Sequence, residues 1–187
     1  MSQEQIFSEI KLLKPEVFKD KRGFFFESFN KKRYQKTSGN IDFVQDNISF
    51  SSYGTLRGLH LQNPRGQGKL IQVLQGEVYD VAVDVRKDSP SFGKFQSFYL
   101  SEANKQQVFI PPGFAHGFLV TSPKALFFYK CTDYYYPEDE LSILWDDQDI
   151  NIPWPIKDPQ LSTKDQIGLK LKEALKLNKL PLYKDSK

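Results

Sequence analysis

The most constraining feature of this sequence is Glu77–Arg86, where Val81, Val83 and Val85 alternate with Asp80, Ala82 and Asp84. A period of two sends the valines to one face of an extended chain and the acids to the other, which a helix cannot do. Further short strands are predicted on either side: Phe43–Ser51, Thr55–Gln62, Lys69–Gln75 (ending at Gly76), Phe95–Ser101, Gln107–Ile110, Gly117–Thr121 and Leu126–Asp133. The chain has 16 Phe and 9 Tyr, which supports strands over helices in these stretches. Many short strands separated by turns predict an all-β fold, a sandwich, jelly roll or barrel. The 187 residues fit a single domain, 1–187.

Helices are predicted at two places. Asn30 can cap a short helix running through Thr37. Ser162-Thr163-Lys164-Asp165 reads as a capping box, with Asp165 bonding back to the Ser162 amide. It would open a helix over about residues 163–178, with Ile167, Leu171, Ala174 and Leu175 on one stripe. A loop rich in Pro, Asp and Trp, residues 146–158, lies before it.

The rare residues exclude several chemistries. A single Cys, Cys131, rules out an internal disulfide and any cysteine-based metal centre. The two histidines, His60 and His116, are the first candidates for acid–base work near neutral pH. The net charge is +3, but residues 164–187 hold seven Lys against three acids, so the rest of the chain is one charge negative. That tail reads as a solvated helix face, and nucleic acid is not an expected partner. No apolar run approaches the roughly 18 residues of a membrane span, and Met-Ser-Gln-Glu-Gln lacks the features of a signal peptide. A cytoplasmic protein without a membrane partner is expected.

Four clusters carry candidate chemistry. In Arg57-Gly58-Leu59-His60, Arg57 and His60 would face opposite sides of a regular strand, unless Gly58 introduces a bulge. Pro111-Pro112-Gly113-Phe114-Ala115-His116 has the Pro-x-Gly-x-x-His skeleton of the second cupin motif. A cupin metal site also needs a His-x-His and an earlier Glu; this chain has His60-Leu61-Gln62, so no metal is expected. Phe127-Phe128-Tyr129-Lys130 leads into Tyr134-Tyr135-Tyr136, whose phenol edges suit hydrogen bonding and whose rings suit stacking on a base. The fourth cluster is Ser162–Asp165 itself.

Taken in order, these segments resemble the dTDP-4-dehydrorhamnose 3,5-epimerase family of cupins, from about Lys14 to Asp165. The shared motifs include Asp20-Lys21-Arg22-Gly23-Phe24-Phe25-Phe26-Glu27, Gln45-Asp46-Asn47, Leu56-Arg57-Gly58-Leu59-His60, Gly76-Glu77-Val78-Tyr79-Asp80, Ser89-Pro90-Ser91-Phe92-Gly93 and Leu161-Ser162-x-Lys164-Asp165. The resemblance implies a jelly roll, or double-stranded β-helix. It implies a homodimer in which an N-terminal strand segment, about residues 1–30, crosses to the partner. It also implies inversion of C3 and C5 of a dTDP-4-keto-6-deoxy sugar without a cofactor, in dTDP-L-rhamnose synthesis. On this resemblance His60 is the base, Asp165 orients and charges it, Tyr129 reprotonates the opposite face and Lys69 supports the enolate. Substrate-binding positions are Gln45, Asp46, Asn47, Arg57 and His116, with Arg22 and Glu27 serving the partner's site. Tyr135 matches a ring that stacks on thymine, and Glu140 and Lys164 match further contacts. One departure is Ile48, where many members carry His. The alternatives are a single-carbon epimerase and a non-catalytic sugar-nucleotide-binding cupin.

The chemistry agrees with the implied roles. A 4-keto group acidifies the C–H bonds at C3 and C5, and inversion needs a base on one face, a proton donor on the other and charge near the enolate oxygen. No redox cofactor is needed, and no G-x-G-x-x-G motif is present.

Overall fold

A computed structural model describes residues 6–39 and 41–183. The first five residues of the segment expected to cross to a partner, and the last four of the Lys-rich tail, lie outside the described residues. Two five-stranded antiparallel sheets face each other. The first sheet has the order β1-β9-β6-β11-β4, built from Lys11–Leu13 (β1), Gln45–Ser52 (β4), Lys69–Gln75 (β6), Gln107–Ile110 (β9) and Lys124–Cys131 (β11). The second has the order β12-β5-β10-β7-β8, from Leu56–Gln62 (β5), Glu77–Asp84 (β7), Phe95–Ser101 (β8), Phe114–Val120 (β10) and Glu140–Ser142 (β12). This is the jelly roll of the cupin class. A hairpin of Val17–Asp20 (β2) and Gly23–Phe26 (β3) forms a separate two-stranded sheet among the described residues.

Two apolar clusters follow from the alternation. Inward side chains of both sheets, among them Ile71, Val73, Val78, Ala82, Val108, Phe118 and Phe127, fill the barrel. Outward side chains of the second sheet, Leu59, Leu61, Val81, Val83 and Val85, pack under the C-terminal segment through Ile143, Ile150, Leu171 and Leu180. The alternating strand β7 is therefore buried on both faces. Its acidic face looks into the barrel, not into water: Asp80 and Asp84 are both 0% exposed. Buried carboxylates need partners. Asp84 accepts from Arg86, Ser89 and Ser91, and Asp80 accepts from His116.

The bulge expected at Gly58 is present. Leu56, Leu59 and Leu61 all belong to the outer cluster, so the spacing along β5 is three and then two. The pairing with β10 shifts in the same place: His60 lies opposite His116 and Arg57 opposite Phe118. Gly58 is the additional residue, and it sends both Arg57 and His60 inward. Its φ of +133° and its approach to Gly117 demand glycine; a Cβ there would stand 2.5 Å from the Gly117 Cα.

Helix α1, Lys31–Ser38, begins at Asn30 as predicted, with the Asn30 side chain accepting from the Arg33 amide. The single C-terminal helix expected over 163–178 is not found. Two short helices, Thr163–Gln166 (α2) and Leu171–Lys176 (α3), stand in its place. Between them the backbone is tied to β12 and its extension: Leu169 donates to Ser142 O and accepts from the Leu144 amide. Gly168 fits against Ile143 and Leu144 where a Cβ would collide. Ile167, placed on the apolar stripe, is instead 75% exposed. No helix among the described residues is long and apolar enough to cross a membrane.

Candidate active site

The barrel opens at one end into a cavity of about 360 Å3. Strand alternation supplies most of its walls: Asn47 and Ser49 from β4, with Ile48 at the margin, Arg57 and His60 from β5, Lys69 from β6, His116 from β10 and Tyr129 from β11; Lys164 and Asp165 of α2 and its N-cap Ser162 complete them. Phe118 and Phe127, stacked with centroids 3.9 Å apart, also line it. A concavity of about 520 Å3 lies elsewhere, near Leu13, Phe25 and Tyr34. The acid–base residues are in the smaller cavity, which is where we place the site.

Asp165 is held at four points. The His60 Nε2–Oδ1 separation is 2.5 Å, and the Ser162 hydroxyl donates to Oδ2 at 2.7 Å. The Asp165 amide donates to Ser162 Oγ, and the Gly58 backbone meets the carboxylate from the bulge. The carboxylate thus faces His60 and the Ser162 hydroxyl, not the Ser162 amide expected of a capping box. Burial works to raise the Asp165 pKa, but hydrogen bonds from His60 and Ser162 outweigh it and hold the pKa below the usual carboxylate range. An ionised Asp165 accepts, so Nε2 of His60 carries the hydrogen and Nδ1 is left as the basic nitrogen of the neutral ring.

The same sheet holds a second pair, on β10 and β7 beside β5. His116 Nε2 lies 2.9 Å from Asp80 Oδ2, with His116 7% exposed. Burial lowers the His116 pKa, against the pull of Asp80, and Lys69 and His60 lower it further. Lys69 is also lowered, first by burial, while Cys131, Asp80 and Glu140 act to raise it. Burial raises the Tyr129 phenol, which therefore keeps its proton near neutral pH.

A polar rim adjoins the cavity. The Tyr135 hydroxyl donates to Glu140 at 2.6 Å, and this bond pushes the phenol up to about 12. Glu140 also pairs with Lys164. Gln45 donates to Asn47 and accepts from the Tyr135 amide. Three expected residues stand elsewhere. Asp46 points out of the barrel and pairs with Lys130, because neighbours of Gln45 and Asn47 on a strand must face the other way. Arg22 sits on the hairpin with its side chain 84% exposed and paired to Asp20. Glu27 contacts Asn30 and Arg33. Ile48, the departure from the family pattern, is 64% exposed on the outward side of β4 yet still borders the cavity between Asn47 and Ser49. Sequence reasoning missed Asp80 as a site residue. Its signal was an acid on a strand otherwise rich in valine, but its contact with His116 depends on a pairing that no spacing reveals.

The cavity sets a His–Asp pair, a tyrosine and a lysine inside a cupin barrel, and a solved 4-keto-6-deoxy sugar epimerase shares this fold; among the described residues no group of three His, Cys, Asp or Glu could hold a metal ion. The chain belongs to the dTDP-4-dehydrorhamnose 3,5-epimerase family, whose model matches residues 4–173. The Shigella flexneri dTDP-4-dehydrorhamnose 3,5-epimerase is 51% identical over 168 residues, covering 89% of this chain and 93% of that protein. The Legionella pneumophila 3,5-epimerase, solved with dTDP-4-keto-L-rhamnose, is 50% identical with a TM-score of 0.92 over 96% of both chains. A 3'-monoepimerase from Streptomyces bikiniensis, solved with dTDP-quinovose, has a similar fold (TM-score 0.91, covering 97% of this chain and 93% of that one) but is 31% identical.

The His116 environment predicts a pH dependence. Its folded pKa lies below the ordinary 6.5, so on acidification the unfolded chain takes up the proton first. Stability should therefore fall as pH drops from about 6.5 toward the folded value. Asp165, lowered from 3.8, contributes stability above that value and loses it only at more acidic pH. Melting followed between pH 7 and 5 should show a smaller decline for His116→Gln than for the wild type. Parallel declines would contradict a buried neutral His116.

Proposed function

We propose that this chain is a cofactor-independent isomerase that inverts C3 and C5 of dTDP-4-dehydro-6-deoxy-D-glucose, yielding dTDP-4-dehydro-L-rhamnose for dTDP-L-rhamnose synthesis. The observation that carries the reading is the His60–Asp165 contact in a cavity that also holds Tyr129 and Lys69. Relatives of about half identity bear this activity in their names.

In the proposed reaction neutral His60 takes the proton from carbon; the C–H electron pair forms the C=C bond to C4, and the C4=O4 π pair shifts onto O4 as negative charge. Asp165 stabilises the imidazolium that forms. Lys69 supplies positive charge to the enolate oxygen. Tyr129, protonated because it is buried, returns a proton to the opposite face. Arg57 and His116, with Asn47 and Gln45, hold the sugar and diphosphate, and Tyr135, Glu140 and Lys164 hold the nucleotide end. Asp46, facing outward on Lys130, has no part in this site.

We further infer a homodimer in the cytoplasm. Phe18, Phe24 and Phe25 on the hairpin are 55%, 58% and 70% exposed, and Ile48 and Phe50 on the outer face of the first sheet are 64% and 59% exposed. An apolar area of this kind favours association. A second copy would cover it and bring Arg22 and Glu27 of the hairpin to the partner's cavity. Light scattering should return twice the chain mass, and Phe25→Asp should shift the protein toward monomer with loss of turnover. A wild-type monomer with full turnover would contradict the dimer.

The reaction is tested by NMR of the product formed in deuterated water. Deuterium is expected at both C3 and C5, with His60→Ala slower by at least about a hundredfold. Deuterium at one carbon alone would show a single-carbon epimerase, and binding without exchange would show a non-catalytic protein.

A further inference from the structure

We propose that Gln62 is a positioning residue for the nucleotide end of the site, acting by fixing the Tyr134–Tyr136 loop that presents Tyr135. The inference rests on the nucleotide role of Tyr135 in the proposed function. Residues 132–136 run between β11 and the short 3-10 turn Pro137–Asp139; the Thr132 amide still donates to Gly68 O and the Tyr136 carbonyl accepts from Asp139, but no strand ladder covers the stretch between. Polar backbone groups in such a segment must find other partners.

Glutamine side chains supply them. Gln62 ends β5, two residues beyond His60, and is only 6% exposed. Its Nε2 donates to Tyr134 O at 3.2 Å and to Arg65 O at 2.9 Å, and its Oε1 accepts from the Tyr136 amide at 2.9 Å. One amide thus brackets Tyr135 from both sides in the chain. Gln67 donates to Asp133 O, and Gln45 accepts from the Tyr135 amide. The Tyr135 hydroxyl is fixed separately on Glu140. The ring is held at its backbone and at its tip, while 48% of the residue stays exposed and open to a stacking ligand. A platform held in place before binding loses less freedom when the ligand arrives.

Gln62→Met keeps the length of the side chain and removes all three bonds. It should raise the KM for the 4-keto sugar nucleotide and the Kd for dTDP by about tenfold, with kcat within threefold of wild type. In a Tyr135→Ala background the same change should weaken dTDP binding by less than about twofold, because Gln62 acts through that ring. Equal losses in both backgrounds would overturn the proposal, as would a fall in kcat at unchanged KM, which would place the effect on His60. If Gln62→Met does not fold, Gln67→Met loosens the same loop at Asp133 and should weaken dTDP binding about threefold; unchanged affinity there would overturn the proposal. Calorimetry of the wild type with dTDP separates the two readings. No binding to wild type overturns the functional reading and this inference with it, whereas tight binding to wild type and both glutamine variants overturns only this inference.

Discussion

The contact between His60 and Asp165 joins two parts of the chain that are 105 residues apart. It ties a barrel strand to a helix of only four residues, which could not hold its own shape in water. The carboxylate gathers donors from the histidine ring, from Ser162 and from the bulged backbone at Gly58, which together offset its burial. The same bonds that orient the His60 ring also close the C-terminal segment onto the barrel. Losing one side of such a hydrogen bond to a buried carboxylate costs roughly 1.5–3 kcal/mol, so structure and chemistry are coupled at this point.

The bulge at Gly58 makes that contact possible. In a regular strand without the bulge, Arg57 and His60 would lie on opposite faces of β5, and the cavity would lose one of them. Glycine is required there because the backbone of Gly117 passes too close for any side chain. On the neighbouring strands of the same sheet, Asp80 pairs with His116 as Asp165 pairs with His60, but deeper. The two histidines are thereby placed in unlike surroundings: His60 about a quarter exposed at the cavity, with a side-chain exposure of 27%, and His116 buried and biased toward its neutral form.

Much of the barrel was legible from residue order. The strands Lys69–Gln75, Phe95–Ser101 and Gln107–Ile110 have the bounds that alternation and turn residues predicted. The hairpin β2–β3 was not read from periodicity, since Phe24-Phe25-Phe26 has no alternation to follow. The C-terminal helix was overextended because a helical stripe gives no warning that Gly168 and Leu169 will bridge to another strand. In the site, the pairing of His60 with Asp165 was legible only through resemblance to a family, because no local pattern spans such a separation. Asp46 shows the converse. A motif read as three consecutive residues cannot place all three in one cavity when a strand turns the middle one outward.

The central claim is that an ionised Asp165 makes His60 the base. Asp165→Asn keeps the shape of the contact and removes its charge. The direct measurement is the rate of solvent deuterium entry into the 4-keto sugar nucleotide, with dTDP affinity measured on the same protein. A drop of about a hundredfold or more in exchange with dTDP affinity retained is the result predicted. Exchange within threefold of wild type would contradict it.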